Sequence, residues 1–75
     1  MSDELAFIKG VGQRVRRLRR AQGFSLAAFA RATDLRELEI VTIEEGRADP
    51  NLGDLYTIAK VLKMNLSQLV AVRGR

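Results

Sequence analysis

Apolar residues recur at steps of three and four from the start of the chain: Leu5, Ile8, Val11, Val15 and Leu18, with Gln22 the first polar member of the series. That spacing draws one stripe along a helix and lacks the alternation of a half-buried strand. Ser2 is a candidate cap, and Asp3 and Glu4 suit the positive end of the helix dipole. Gly10 and Gly12 weaken the start. The secure part of the helix is therefore expected from Val11, with residues 1–7 an N-terminal arm or a helix extension. Gly23, just past the last turn, ends it.

The same period continues downstream. Ser25 is a preferred N-cap residue, after which Leu26, Phe29, Ala30 and Thr33 share one face. Phe24, just ahead of the cap, is placed to pack on Phe29 or its neighbours. Thr33-Asp34 interrupts, and a third helix carries Leu35, Ile40 and Ile43 inward until Gly46. Asp34, with Glu37 three residues on, predicts the cap of that helix. After an Asp49-Pro50 loop, Asn51 caps a fourth helix, with Asp54 in the capping-box position and Leu52, Leu55, Ile58, Ala59 and Leu62 as its core stripe. Asn65 and Gln68 repeat the device ahead of a short fifth helix through Leu66, Leu69 and Val70. Arg73-Gly74-Arg75 reads as a frayed tail. The fold class is all-α: five helices in a single domain spanning residues 1–75.

Three Phe and one Tyr are the only aromatic residues, so the core is aliphatic. Cysteine and histidine are absent, which removes disulfides, thiolate metal sites and the commonest general base. Neither a metal nor a cofactor is expected. So small a domain gains from extra burial at a dimer interface. No apolar run approaches the ~20 residues a membrane span needs, and the acidic start is unlike a secretory signal. The cytoplasm is the expected compartment, with no membrane partner.

The formal net charge of +4 hides an asymmetry. Residues 5–20 hold six basic side chains (Lys9, Arg14, Arg16, Arg17, Arg19 and Arg20) and no acid. Residues 34–45 hold five acids (Asp34, Glu37, Glu39, Glu44 and Glu45) against Arg36 alone. The first segment suits a polyanion, although its arginines read equally well as a solvated helix face; the second does not.

The run Phe29-Ala30, Asp34-Leu35, Ile40, Ile43-Glu44-Glu45-Gly46 resembles the Cro/CI-type (lambda-repressor-like, XRE) helix-turn-helix family of bacterial and phage DNA-binding proteins. The likeness extends upstream through residues 12–20 and Gly23-Phe24-Ser25. Downstream it takes in Arg47, Pro50, Leu55, Ile58-Ala59, Leu62 and Asn65-Leu66, covering roughly residues 11–70 without an insertion or deletion. It implies a compact five-helix domain whose second and third helices form the motif, with the third laid in the major groove of double-stranded DNA. Arg36, Glu37, Leu38, Glu39 and Thr42 would then face the bases. Arg14, Ser25, Leu26, Arg47 and Asn51 would contact phosphates, and Arg19 with Glu44 would form a partly buried ion pair between the first and third helices. The fifth helix, through Leu69, Val70 and Val72, would supply the contact of a homodimer.

The chain departs from the family at telling positions. Leu26 stands where Gln is usual, Asp34 where the turn usually has Gly, and Arg36 where a Ser or Thr cap is usual. Glu37 and Glu39 bring negative charge towards phosphates, although Glu can accept from cytosine N4, Arg36 can bind guanine and Leu38 can touch a thymine methyl. Two functions follow from these residues. One is a sequence-specific transcriptional regulator, in the sense of a repressor, acting as a homodimer on an inverted repeat. The other is an interaction module of the antirepressor or antiactivator type, whose third helix binds a protein through Leu38, Val41 and the two glutamates. An enzyme is not expected, because the carboxylates follow one another along a helix and Gly10-Val11-Gly12 follows no strand.

Overall fold

The computed structural model describes residues 3–71, and within them every regular element is a helix: α1 Asp3–Ala21, α2 Leu26–Thr33, α3 Glu37–Glu44, α4 Leu52–Val61 and α5 Leu66–Leu69. Val11, Val15, Phe29, Ile40, Ile43, Leu55, Ile58, Ala59, Leu62 and Leu69 form one core to which every helix contributes. Phe24 and Phe29 meet with ring centroids 5.3 Å apart, closing the turn between α1 and α2. No helix among the described residues is long and apolar enough to cross a membrane.

The caps place the helix starts. Ser25 Oγ accepts from the Ala28 N–H at 3.0 Å, and Asn51 Oδ1 from the Asp54 N–H at 2.7 Å. Asn65 accepts from the Gln68 N–H, while the Gln68 side chain accepts from the Asn65 N–H, a complete capping box. These bonds satisfy backbone donors that a helix start otherwise leaves open.

Four details differ from the sequence reading. α1 runs unbroken from Asp3 through Gly10 and Gly12, because Gly12 is buried where α1 crosses the end of α3. A Cβ there would collide with the Ile43 carbonyl oxygen and lie 2.9 Å from that of Glu44. The close approach offsets the modest helix penalty of glycine. Asp34 does not cap α3. It closes α2 in the left-handed conformation, φ 59°, with its N–H on the Ala30 carbonyl. The N-cap of α3 is the extended Arg36, whose N–H donates to the Glu39 carboxylate at 2.8 Å. Leu52 is 69% exposed, because the buried face of α4 begins only at Leu55. Leu69 is fully buried within its own core. Val72, the expected cap Ser2 and the tail lie outside the described residues.

Candidate nucleic-acid interface

Arg19 and Glu44 hold the motif to the rest of the domain. Arg19 Nε lies 2.7 Å from Glu44 Oε2, and Nη2 lies 3.2 Å from Oε1. The third nitrogen, Nη1, donates to the Phe24 carbonyl at 2.8 Å. A planar guanidinium can make all three contacts at once. Each residue is 6% exposed, and no buried side-chain polar atom among the described residues lacks a partner. One side chain thus ties α1, the entry to α2 and the C-terminal end of α3 together.

Held in this way, α3 turns Ile40, Ile43 and Glu44 inward and leaves its outer side open. Leu38 is 70% exposed, and the Arg36 side chain is 83% exposed. Glu37 is exposed, and Thr42 is half-buried beside them. The Thr42 hydroxyl donates to the Leu38 carbonyl at 2.7 Å. Its hydrogen is committed to the helix, so the oxygen faces outward as an acceptor, suited to the amino groups of cytosine or adenine.

Glu39 is less free than its neighbours. Its carboxylate turns back onto the Arg36 N–H and lies 3.4 Å from Arg36 Nε. The backbone hydrogen bond from Arg36, followed by the charge and side-chain bond of the same residue, holds the Glu39 carboxyl below its ordinary value. Glu39 is thus a capping residue of α3, and its negative charge is partly answered within the turn.

The expected phosphate contacts divide. Leu38, Glu39, Thr42 and Asn51 line a single cleft between α3 and the start of α4, and the Arg47 N–H bonds the Thr42 carbonyl at 3.0 Å. Asn51 uses its oxygen as a cap, which leaves its amide hydrogens to donate outward. Arg47 Nε is 3.1 Å from Glu45 Oε1 on the surface. At the start of α2, Ser25 Oγ is engaged as a cap, whereas Leu26 is half-buried against the core. Arg14 is drawn elsewhere: its Nε donates to the Gln68 carbonyl at 3.2 Å, bracing α1 on α5.

Arg31 was not singled out by the sequence. It is exposed on α2 and shares a shallow depression with Ala27, Arg36 and Glu37, so two arginines flank the most exposed acid of α3. The turn at Asp34 brings them together, and no periodicity in the sequence reports it.

Known proteins agree with this architecture. A family model described as a helix-turn-helix domain matches residues 12–75. The restriction-modification controller protein C.AhdI from Aeromonas hydrophila superposes with a TM-score of 0.81 at 28% identity, covering 85% of this chain and 97% of its own. An HTH_3 family transcriptional regulator from Vibrio cholerae gives 0.83 at 28% identity, over 93% of this chain and 39% of the regulator. The apo form of the competence regulator ComR from Streptococcus vestibularis gives 0.80 at 26% identity, over 89% of this chain and 23% of ComR. No curated protein sequence matches significantly. With the five helices, the α2–turn–α3 unit and the matched length in hand, the chain belongs to the helix-turn-helix domain family, in its Cro/CI-type, lambda-repressor-like form.

Proposed function

We propose that the chain is a sequence-specific DNA-binding transcriptional regulator, acting as a homodimeric repressor on an inverted-repeat operator. The observation that carries this reading is the division of α3. Ile40, Ile43 and Glu44 lock its inner side, while Arg36, Glu37, Leu38 and Thr42 stand open on the other. A rigid helix presenting a bidentate donor, an acceptor and an apolar contact has the chemistry of direct base readout. The open N–H groups at the start of α2 and the Asn51 amide fit backbone phosphates. The solved relatives named as a controller and as regulators support the same sense.

Two copies would double a small set of base contacts and set half-sites about one turn apart, ~34 Å or a multiple. Since Leu69 belongs to the core, the dimer contact is assigned to Val70 at the end of α5, together with the depression lined by Tyr56, Lys60, Lys63, Met64, Asn65 and Gln68. Tyr56 is 58% exposed there and provides an aromatic anchor. Repression needs only occupancy of the operator.

The test is selection from a random duplex library at about 0.15 M salt, where non-specific attraction is screened. A two-fold symmetric motif is the expected result. Enrichment of no sequence, with binding that fades uniformly as salt rises, overturns specific recognition. A second reading rests on the cleft lined by Leu38, Pro50, Glu39, Asp49 and Asp54, which combines apolar side chains with three acids. A basic protein segment would fit it, and Leu38→Ala should weaken that contact without adding charge to the face turned to DNA.

A further inference from the structure

α1 carries a second charged surface that the reading above leaves unused. Gln13, Arg16, Arg17 and Arg20 line one shallow depression on its outer side. The three arginines are exposed, and none of their side chains has an ion-pair or hydrogen-bond partner among the described residues. The opposite side of α1, through Val11, Gly12, Val15 and Arg19, packs on the core and on α3. α3 in turn shows α1 its inner residues Ile43 and Glu44, and points Leu38 and Thr42 the other way. The arginine face of α1 and the open face of α3 therefore lie on separate sides of the α1–α3 packing. A duplex seated on α3 leaves the arginines of α1 uncovered.

Their chemistry selects the partner. Three guanidinium groups within two helical turns match phosphate oxygens bidentately. The face lacks the apolar or aromatic anchor around which a protein interface concentrates its affinity. A membrane surface would need apolar side chains beside the arginines, and the apolar residues along that stretch of α1, Val11, Val15 and Leu18, are packed in or against the core. We propose that the outer face of α1 binds the phosphate backbone of a second DNA duplex, so that one copy bridges two duplex segments. This rests on the reading of α3 as the groove-binding helix.

The experiment holds one duplex on beads, adds the protein at about 50 mM salt, where phosphate contacts are strong, and measures capture of a labelled second duplex. The proteins compared are the wild type, the triple variant Arg16→Gln, Arg17→Gln, Arg20→Gln, and the α3 variant Arg36→Ala, Thr42→Ala. Glutamine keeps helix propensity close to that of arginine, and circular dichroism checks the fold. Wild type is expected to capture the second duplex. The triple variant should hold the bead duplex with its affinity for α3-bound DNA unchanged, yet lose capture. For three released phosphates, capture by wild type should fall about 40-fold between 50 and 200 mM salt. Capture that survives the triple substitution overturns the proposal, since paired copies would then do the bridging. So does wild type that binds the bead duplex and captures nothing. Poly-glutamate that displaces the second duplex at equal charge concentration overturns it in favour of an acidic protein. If the α3 reading itself is wrong, the triple variant loses all duplex binding and the α3 variant loses none. That separate pattern also ends bridging, with one duplex per copy.

Discussion

Arg19 grips Glu44 through two nitrogens, at 2.7 and 3.2 Å, and spends a third on the Phe24 carbonyl. The pair therefore orders three separate stretches of chain with one rigid fork. Removing either member strands the other charge in the interior, which costs about 3–5 kcal/mol. Arg19→Met and Glu44→Leu should each lower the free energy of unfolding by that amount in urea titrations. The double variant Arg19→Met, Glu44→Leu should recover most of the loss, because it leaves no unpaired charge. Arg19→Lys should behave nearly as badly as Arg19→Met, since an ammonium cannot make all three contacts at once. Additive losses in the double variant would show that the pair is not a unit.

Gly12 is the point of closest approach between α1 and α3. A Cβ there meets backbone oxygen of Ile43 and Glu44 rather than a side chain that could swing aside. Gly12→Ala should destabilise by about 3 kcal/mol, the upper part of the range for overpacking, although alanine is the better helix former. Gly53→Ala, also inside a helix but with only the Asn51 side-chain oxygen near the new Cβ, at 3.4 Å, should be neutral or stabilising. The contrast, read from thermal unfolding of the two variants, isolates contact from propensity. Equal behaviour of both would mean that α1 can lift off α3 at little cost.

The helices were legible because their signals are local. Ser25, Asn51 and Asn65 each sit one residue ahead of a helix and bond the backbone three residues on. Fold family followed from a register that residues 11–70 keep without a gap. What the sequence misplaced depends on where helices end against one another. Leu52 fits the stripe of α4 by spacing, yet sits one turn ahead of the buried residues. Leu69 looks like a free apolar residue near the end of the chain, yet completes the core. Asp34 fits a cap motif for α3, but the turn needs a left-handed residue there, and Asp is among the few that tolerate it. Of the candidate site, the exposed side of α3 was readable from the resemblance. The engagement of Glu39 as a cap was not, because it depends on the extended backbone of Arg36.

That cap gives a pH dependence with a definite sign. The folded state holds the Glu39 carboxyl below its unfolded value, chiefly through the Arg36 N–H. The carboxylate is thus favoured by folding. Its contribution is complete above the unfolded value and is lost as pH falls through the lowered folded value. Glu39→Gln keeps an oxygen that can accept from the same N–H but removes the titration. The variant should be slightly less stable than wild type at neutral pH, lose less stability on acidification and converge with wild type in acid. Carbon-13 detection of the Glu39 carboxyl should show a midpoint below the ordinary glutamate value. A higher midpoint for Glu39 would remove the cap from the account.

Leu26 offers the sharpest test of where the backbone of DNA runs. It is the first residue of α2, half-buried against the core, beside N–H groups that no side chain caps. If a phosphate sits at that helix end, Leu26→Gln adds a side-chain donor to it at the cost of some packing. One hydrogen bond to a charged acceptor contributes about 1.5–3 kcal/mol, which makes duplex binding roughly 10- to 150-fold tighter. Because phosphates carry no sequence information, the gain should be the same on an operator and on random duplex. Fluorescence anisotropy on both duplexes measures it, with urea unfolding to register the lost packing. An unchanged affinity, or a gain confined to one sequence, would move the phosphate away from the start of α2 and redraw the approach of α3 to the groove.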